Sequence, residues 1–148
     1  MLVLPALPNP REPVTVLLIS PLPEDHVSLQ HIFDHSNWIL RTAPTCSDAL
    51  GDACKYGTAV AICERDLPDG DWKLVLDRFE GLPSRPNLIV ASRVADERLW
   101  AEVINHGGYD VLAKPFDPDE VRHVVFRAWD ELRARSALAE TRHPAQRN

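Results

Sequence analysis

Apolar residues in this chain fall into short, dense runs separated by stretches where they recur every third or fourth position. The first run, Val14-Thr15-Val16-Leu17-Leu18-Ile19, is rich in β-branched residues and stops at Ser20-Pro21, which predicts a central strand ending in a loop. From Glu24 to about His35 the apolar Val27, Leu29, Ile32 and Phe33 recur at roughly helical spacing and predict a first helix. Trp38 to Thr42 reads as a second strand. Ser47 to Tyr56, closed by Gly57, reads as a second helix with a glycine cap. Thr58 to Cys63 is a third, almost wholly apolar strand, and Glu64 is the first charged residue at its C-terminal tip. The segment Asp66 to Asp71 is rich in turn residues, and Asp71 suits the N-cap of a helix from Trp72 to about Glu80. Leu88 to Ala91 predicts a fourth strand. Asp96 caps a helix through Asn105, whose end is marked by Gly107-Gly108, and Val111 to Ala113 forms a short fifth strand. Pro118 suits the first turn of a last helix, which runs to about Ala139 through Val121, Val124, Val125, Ala128, Trp129 and Leu132.

Five strands, each followed by a helix, require crossover connections and therefore a parallel sheet with helices on both faces. The expected class is α/β, doubly wound. At 148 residues the chain accommodates one such domain, expected over residues 13–140. A flexible, proline-interrupted extension over residues 1–12 and a frayed polar tail over 141–148 complete the expectation.

A formal charge of −6 repels phosphate backbones and anionic headgroups, so neither nucleic acid nor membrane is an expected partner. No apolar run approaches the ~18 residues that a membrane-spanning helix needs. The cysteines Cys46, Cys54 and Cys63 are odd in number and form no CxxC pair, which speaks against a disulfide framework or a zinc site and for a reducing cytoplasm. Cys63 alternates away from Glu64 and is expected to be a buried, inert thiol. His31 and His35 stand one helical turn apart, but with no third ligand or glutamate base they read as a solvated face. No glycine-rich nucleotide loop and no GxSxG elbow occurs, and no enzymatic activity is expected.

Glu64 carries the functional question, because ligands of open α/β sheets collect at the carboxyl ends of the strands. Ile62-Cys63-Glu64-Arg65-Asp66-Leu67-Pro68 places an acid four residues before a proline. Ser92 follows the fourth strand, and Gly107-Gly108-Tyr109-Asp110-Val111-Leu112-Ala113-Lys114-Pro115-Phe116 leads from glycines to Lys-Pro-Phe. In this order and spacing the marks resemble the response-regulator receiver domain of two-component signalling, across about residues 14–134. The resemblance implies a flavodoxin-like (βα)5 fold of strand order 2-1-3-4-5, with its site at the topological switch point. It also implies a cis Lys114-Pro115 peptide as a candidate geometry.

The departures matter as much. Receivers accept a phosphoryl group on an aspartate with the help of Mg²⁺; here Glu64 stands in the acceptor's place, and Ser20 and Pro21 stand where the family carries its acidic pair. Mg²⁺ demands near-octahedral oxygen ligands, so a site left with one carboxylate is expected to bind it weakly or not at all, and no cofactor is expected. Val111 occupies the aromatic switch position. Glu64 either supplies a permanent negative charge paired with Lys114, with Ser92 as a further donor, or points into solvent beside a vanished site. Ser92 is equally suited to cap the next turn. Asp25 and Glu24 lie near enough to lean over the sheet but suit the first turn of the first helix, and Asp66 suits the start of a turn.

Trp100, Tyr109 and Trp129 lie on the fourth-helix, fifth-strand and fifth-helix face that receivers commonly use for partners and dimers, although Trp129 also fits the helix's apolar stripe. The resulting expectation is a stand-alone, degenerate receiver acting by protein contact, with a histidine kinase or downstream effector as partner and a homodimer through that face as an option. Two alternatives stay open: a Mg²⁺-dependent phosphoacceptor using a nearby aspartate, and a small flavodoxin-like ligand-binding domain or enzyme.

Overall fold

The computed structural model describes the backbone of residues 13–146 and side chains as far as Leu138. Strands β1 (Thr15–Ile19), β2 (Ile39–Ala43), β3 (Val60–Glu64), β4 (Asn87–Ser92) and β5 (Asp110–Ala113) form one parallel sheet in the order 2-1-3-4-5. Helices α1 (Pro23–Asp34), α2 (Cys46–Tyr56), α3 (Trp72–Phe79), α4 (Glu97–His106) and α5 (Pro118–Gln146) alternate with the strands. The fold is the doubly wound, flavodoxin-like α/β class that the sequence predicts.

Strand alternation sorts the core into two layers. Leu17, Ile19, Ala61, Cys63, Leu88 and Val90 face α2, α3 and α4, where they meet Ala49, Phe79 and Val103. Val16, Leu18, Val60, Ile62, Ile89 and Leu112 face α1 and α5, where they meet Phe33, Val121 and Val125. Phe33 and Phe79 are fully buried, one in each layer, and truncating such a side chain ordinarily costs about 3–5 kcal/mol.

Helix ends follow the local chemistry. Asp71 accepts from the Lys73 and Leu74 amides, Asp96 from Leu99, and Thr45 from Asp48, each satisfying donors left over at a helix start. Gly57 (φ 64°) and Gly107 (φ 104°) close α2 and α4 in the left-handed region that side chains disfavour. The ion pair Lys73–Glu102 and the hydrogen bond between His106 Nε2 and Asp77 Oδ1 tie α3 to α4 along their solvent side.

Three expectations change. Val27 is 69% exposed, whereas the buried positions of α1 are Asp25, Leu29, Ile32 and Phe33. Residues 25, 29, 32 and 33 are three or four apart and share the face toward the sheet, whereas 27 is two positions from both 25 and 29 and falls on the opposite side. The turn after β3 contains a two-residue antiparallel pairing, Asp66–Leu67 with Gly70–Asp71, outside the main sheet. Helix α5 continues past Ala139 to Gln146, so the segment read as a frayed tail is helical as far as that residue. The expected N-terminal extension, residues 1–12, and the last two residues lie outside the described part. Among the described residues no helix is long and apolar enough to cross a membrane.

Candidate functional site

The C-terminal edge of the sheet gathers Ser20, Glu64, Ser92 and Lys114. Residue 20 follows β1 and its amide bonds the Ala43 carbonyl of β2 at 2.9 Å; Glu64 ends β3 opposite Ala91 of β4; the Lys114 amide bonds the Ser92 carbonyl at 3.0 Å. Alternation fixes which side each side chain takes. Ile19 and Cys63 belong to the α2–α3–α4 layer, so Ser20 and Glu64 turn toward α1, where Asp25 is waiting.

Lys114 is the centre of the arrangement. Its Nζ donates to both Asp25 oxygens, at 3.0 and 2.8 Å, and to Glu64 Oε2. An ammonium has three donors, and all three are engaged. The side chains of Lys114 and Asp25 are 5% and 4% exposed, and that of Glu64 14%. Ser20 completes the cluster: its hydroxyl donates to Asp25 Oδ2 at 2.7 Å while accepting from the Leu22 amide at 3.1 Å. His26 Nε2 donates to the Ser20 carbonyl at 2.7 Å, holding α1 against the end of β1. Two carboxylates against one ammonium leave one formal negative charge at the strand tips. The Lys114-Pro115 peptide is cis.

The expected residues divide accordingly. Glu64 and Lys114 are paired, and Ser20 is a buried donor; Pro21 is exposed beside them. Ser92 does not join: its hydroxyl accepts from the Val94 amide at 3.0 Å and caps the following turn. Asp25 is the residue whose first-turn reading was incomplete, since it starts α1 and yet points into the site. The signal for it lay in its position four residues before Leu29, on the same helical stripe. Asp66 and Glu24 are exposed. Val111 is half-buried against the α2–α3–α4 layer. Trp100 is 50% exposed on α4, Tyr109 is partly buried against the α1–α5 layer, and Trp129 belongs to the core. Burial raises the Tyr109 phenol above its ordinary pKa.

Beneath Glu64, desolvation pushes the Cys63 thiol well above its usual pKa, and its Sγ donates to the Glu64 carbonyl at 3.2 Å. Nothing in that setting favours a reactive thiolate. His31 and His35 stack edge to face with ring centres 4.9 Å apart on the outer side of α1. Among the described residues no group of three or more His, Cys, Asp or Glu side chains converges as a metal cage.

No protein-family model matches the sequence, and no curated protein matches it. Solved structures do match. The signal receiver domain of an HD domain-containing protein from Pseudomonas fluorescens is 25% identical and superposes with a TM-score of 0.76, over 86% of this chain and 94% of that one. The beryllofluoride-activated NtrC4 receiver domain dimer is 24% identical with a TM-score of 0.72, over 80% and 98%. A chain of the CheX–CheY–BeF3–Mg complex from Borrelia burgdorferi is 19% identical with a TM-score of 0.71, over 79% and 90%. The chain has the fold of a response-regulator receiver domain, and its structural neighbours are receivers of two-component signalling.

Proposed function

We propose that this chain is a receiver-like signalling domain that is not switched by phosphorylation and that acts through contact with a protein partner, a histidine kinase or a downstream effector. The observation that carries this reading is the engagement of Lys114 by both Asp25 and Glu64. A phosphoryl group arriving at residue 64 would have to draw the ammonium off carboxylates it already satisfies. Leaving Asp25 buried without its cation is unfavourable, because an uncompensated buried charge is far costlier than a paired one.

The donor set fits Mg²⁺ poorly. That ion requires near-octahedral oxygen coordination at about 2.0–2.1 Å. The acidic oxygens converging at the strand tips belong to Asp25 and Glu64, and Lys114 holds both groups. Without a metal, charge developing on a transferring phosphoryl group lacks its main stabiliser. Asp25 is a poor substitute acceptor because Lys114 and Ser20 occupy its oxygens, and Asp66 is turned to solvent on the two-residue pairing after β3. The formal negative charge left by the cluster stands where the acyl phosphate of a working receiver would add its own.

Intact mass spectrometry after incubation with acetyl phosphate and Mg²⁺ tests the reading. The expected result is an unchanged mass. A gain of one phosphoryl group, lost on substituting Glu64, Asp25 or Asp66, would overturn it and identify the acceptor.

A further inference from the structure

The other end of the sheet holds a second feature, remote from Lys114. Where the chain enters β1, a cavity of about 470 Å³ opens between the C-terminus of α2 and the middle of α5, with walls that include Pro13, Arg41, Tyr56, Thr58, Trp129 and Arg133. Its volume lies within the ordinary range for small-ligand sites.

The two arginines are in different states. Arg41 is neutralised: Nε donates to both Asp52 oxygens at 3.1 Å, Nη2 donates to Asp52 Oδ1 at 2.8 Å and to Thr58 Oγ1 at 2.6 Å, and the guanidinium covers the Tyr56 ring at 4.6 Å. Arg133 has no ion-pair partner among the described residues. Its guanidinium lies over the Trp129 ring, 4.1 Å from the centroid, and its Nε is shut off from solvent without a hydrogen-bond acceptor. A shielded donor left unmade is unfavourable and calls for an acceptor. With Arg41 cancelled by Asp52, the positive charge of Arg133 is uncompensated among the described residues that line the cavity.

We propose that this cavity binds a small ligand bearing a carboxylate or phosphate on a flat apolar body, with Arg133 as the residue that holds the oxyanion. A guanidinium offers paired N–H groups matched to such an anion, and the indole beneath fixes its plane. Tyr56, 55% exposed, supplies apolar surface for the body, while the buried Trp129 backs the guanidinium. The site stands apart from the receiver reading, since none of its residues belongs to the cluster around Lys114.

The test uses the ¹⁵N-labelled full chain and follows the Trp129 indole N–H resonance during titration with phenyl phosphate, benzoate and inorganic phosphate. The expected result is saturable movement with at least one aromatic anion, and the tighter of the two names the oxyanion. Arg133→Gln is expected to weaken that binding on the order of tenfold or more, with Arg133→Lys intermediate because charge survives without the fork. Arg98→Gln, on exposed α4, is expected to change nothing. The proposal is overturned by no saturable movement up to about 10 mM of either aromatic anion, by inorganic phosphate binding as tightly as both, or by undiminished binding in Arg133→Gln.

Discussion

Lys114 sets the energetics at the scale of single residues. A buried ammonium is tolerable only with its donors met, and here two carboxylates and no water-facing surface of consequence meet them. Lys114→Met leaves Asp25 and Glu64 facing each other without a cation, and a loss of about 3–5 kcal/mol is expected in urea unfolding. Pairing it with Asp25→Leu should recover most of that loss, because the stranded buried charge goes as well. A single-variant cost under about 1 kcal/mol would mean that the cluster contributes little. Glu64 and Lys114 were legible in the sequence because strand tips and loop landmarks place them directly. Asp25 was harder to read, since a count of apolar positions passes over a carboxylate even where it falls on the buried face. Leu29, Ile32 and Phe33 lie on the buried face as the spacing predicts; Val27 falls outside it, and its place at that end of the stripe is taken by Asp25, four residues before Leu29.

Among the secondary-structure elements, the start of α2 shows how a loop and a helix hold each other. Asp69, beyond β3, accepts from the Cys46 amide at 2.9 Å and the Ser47 amide at 3.1 Å, and these bonds, the first above all, hold its carboxyl below the ordinary carboxylate value. A depressed folded-state pKa means that the stabilising contribution is complete above the unfolded value of ~3.9 and is lost as pH falls through the lower folded value. Asp69→Asn removes that titration, so the variant's unfolding free energy should fall less steeply than the wild type's on acidification below about pH 4. Parallel curves would dismiss the contact as a pH-dependent term. Asp71, Asp96, Gly57 and Gly107 marked the helix ends in advance because capping is local chemistry. The two-residue pairing after β3 is too short for any periodicity to announce, and the distal part of α5 has no apolar stripe to read.

Considered whole, the molecule separates its surfaces. The ion cluster occupies the C-terminal edge of the sheet, the arginine cavity the opposite end, and the α4–β5–α5 flank presents Trp100 at 50% exposure. Tryptophan is among the residue types enriched at the energetic centres of protein interfaces. Trp100→Ala is therefore expected to leave the melting temperature within about 2 °C of wild type, because a half-exposed side chain contributes little to the core. In affinity capture the same substitution should reduce retention of the native partner, and Tyr109→Ala should do so with some loss of stability, being partly buried. Full retention by both variants would move the contact to another flank.

The lysine held between two carboxylates has a consequence in time. An acyl phosphate hydrolyses, and its half-life gives an ordinary receiver a clock. On the proposed reading the charge at residue 64 is spelled by the codon and has no decay constant. The duration of any message this chain carries would then be governed by synthesis, proteolysis and the residence time of whatever it grips.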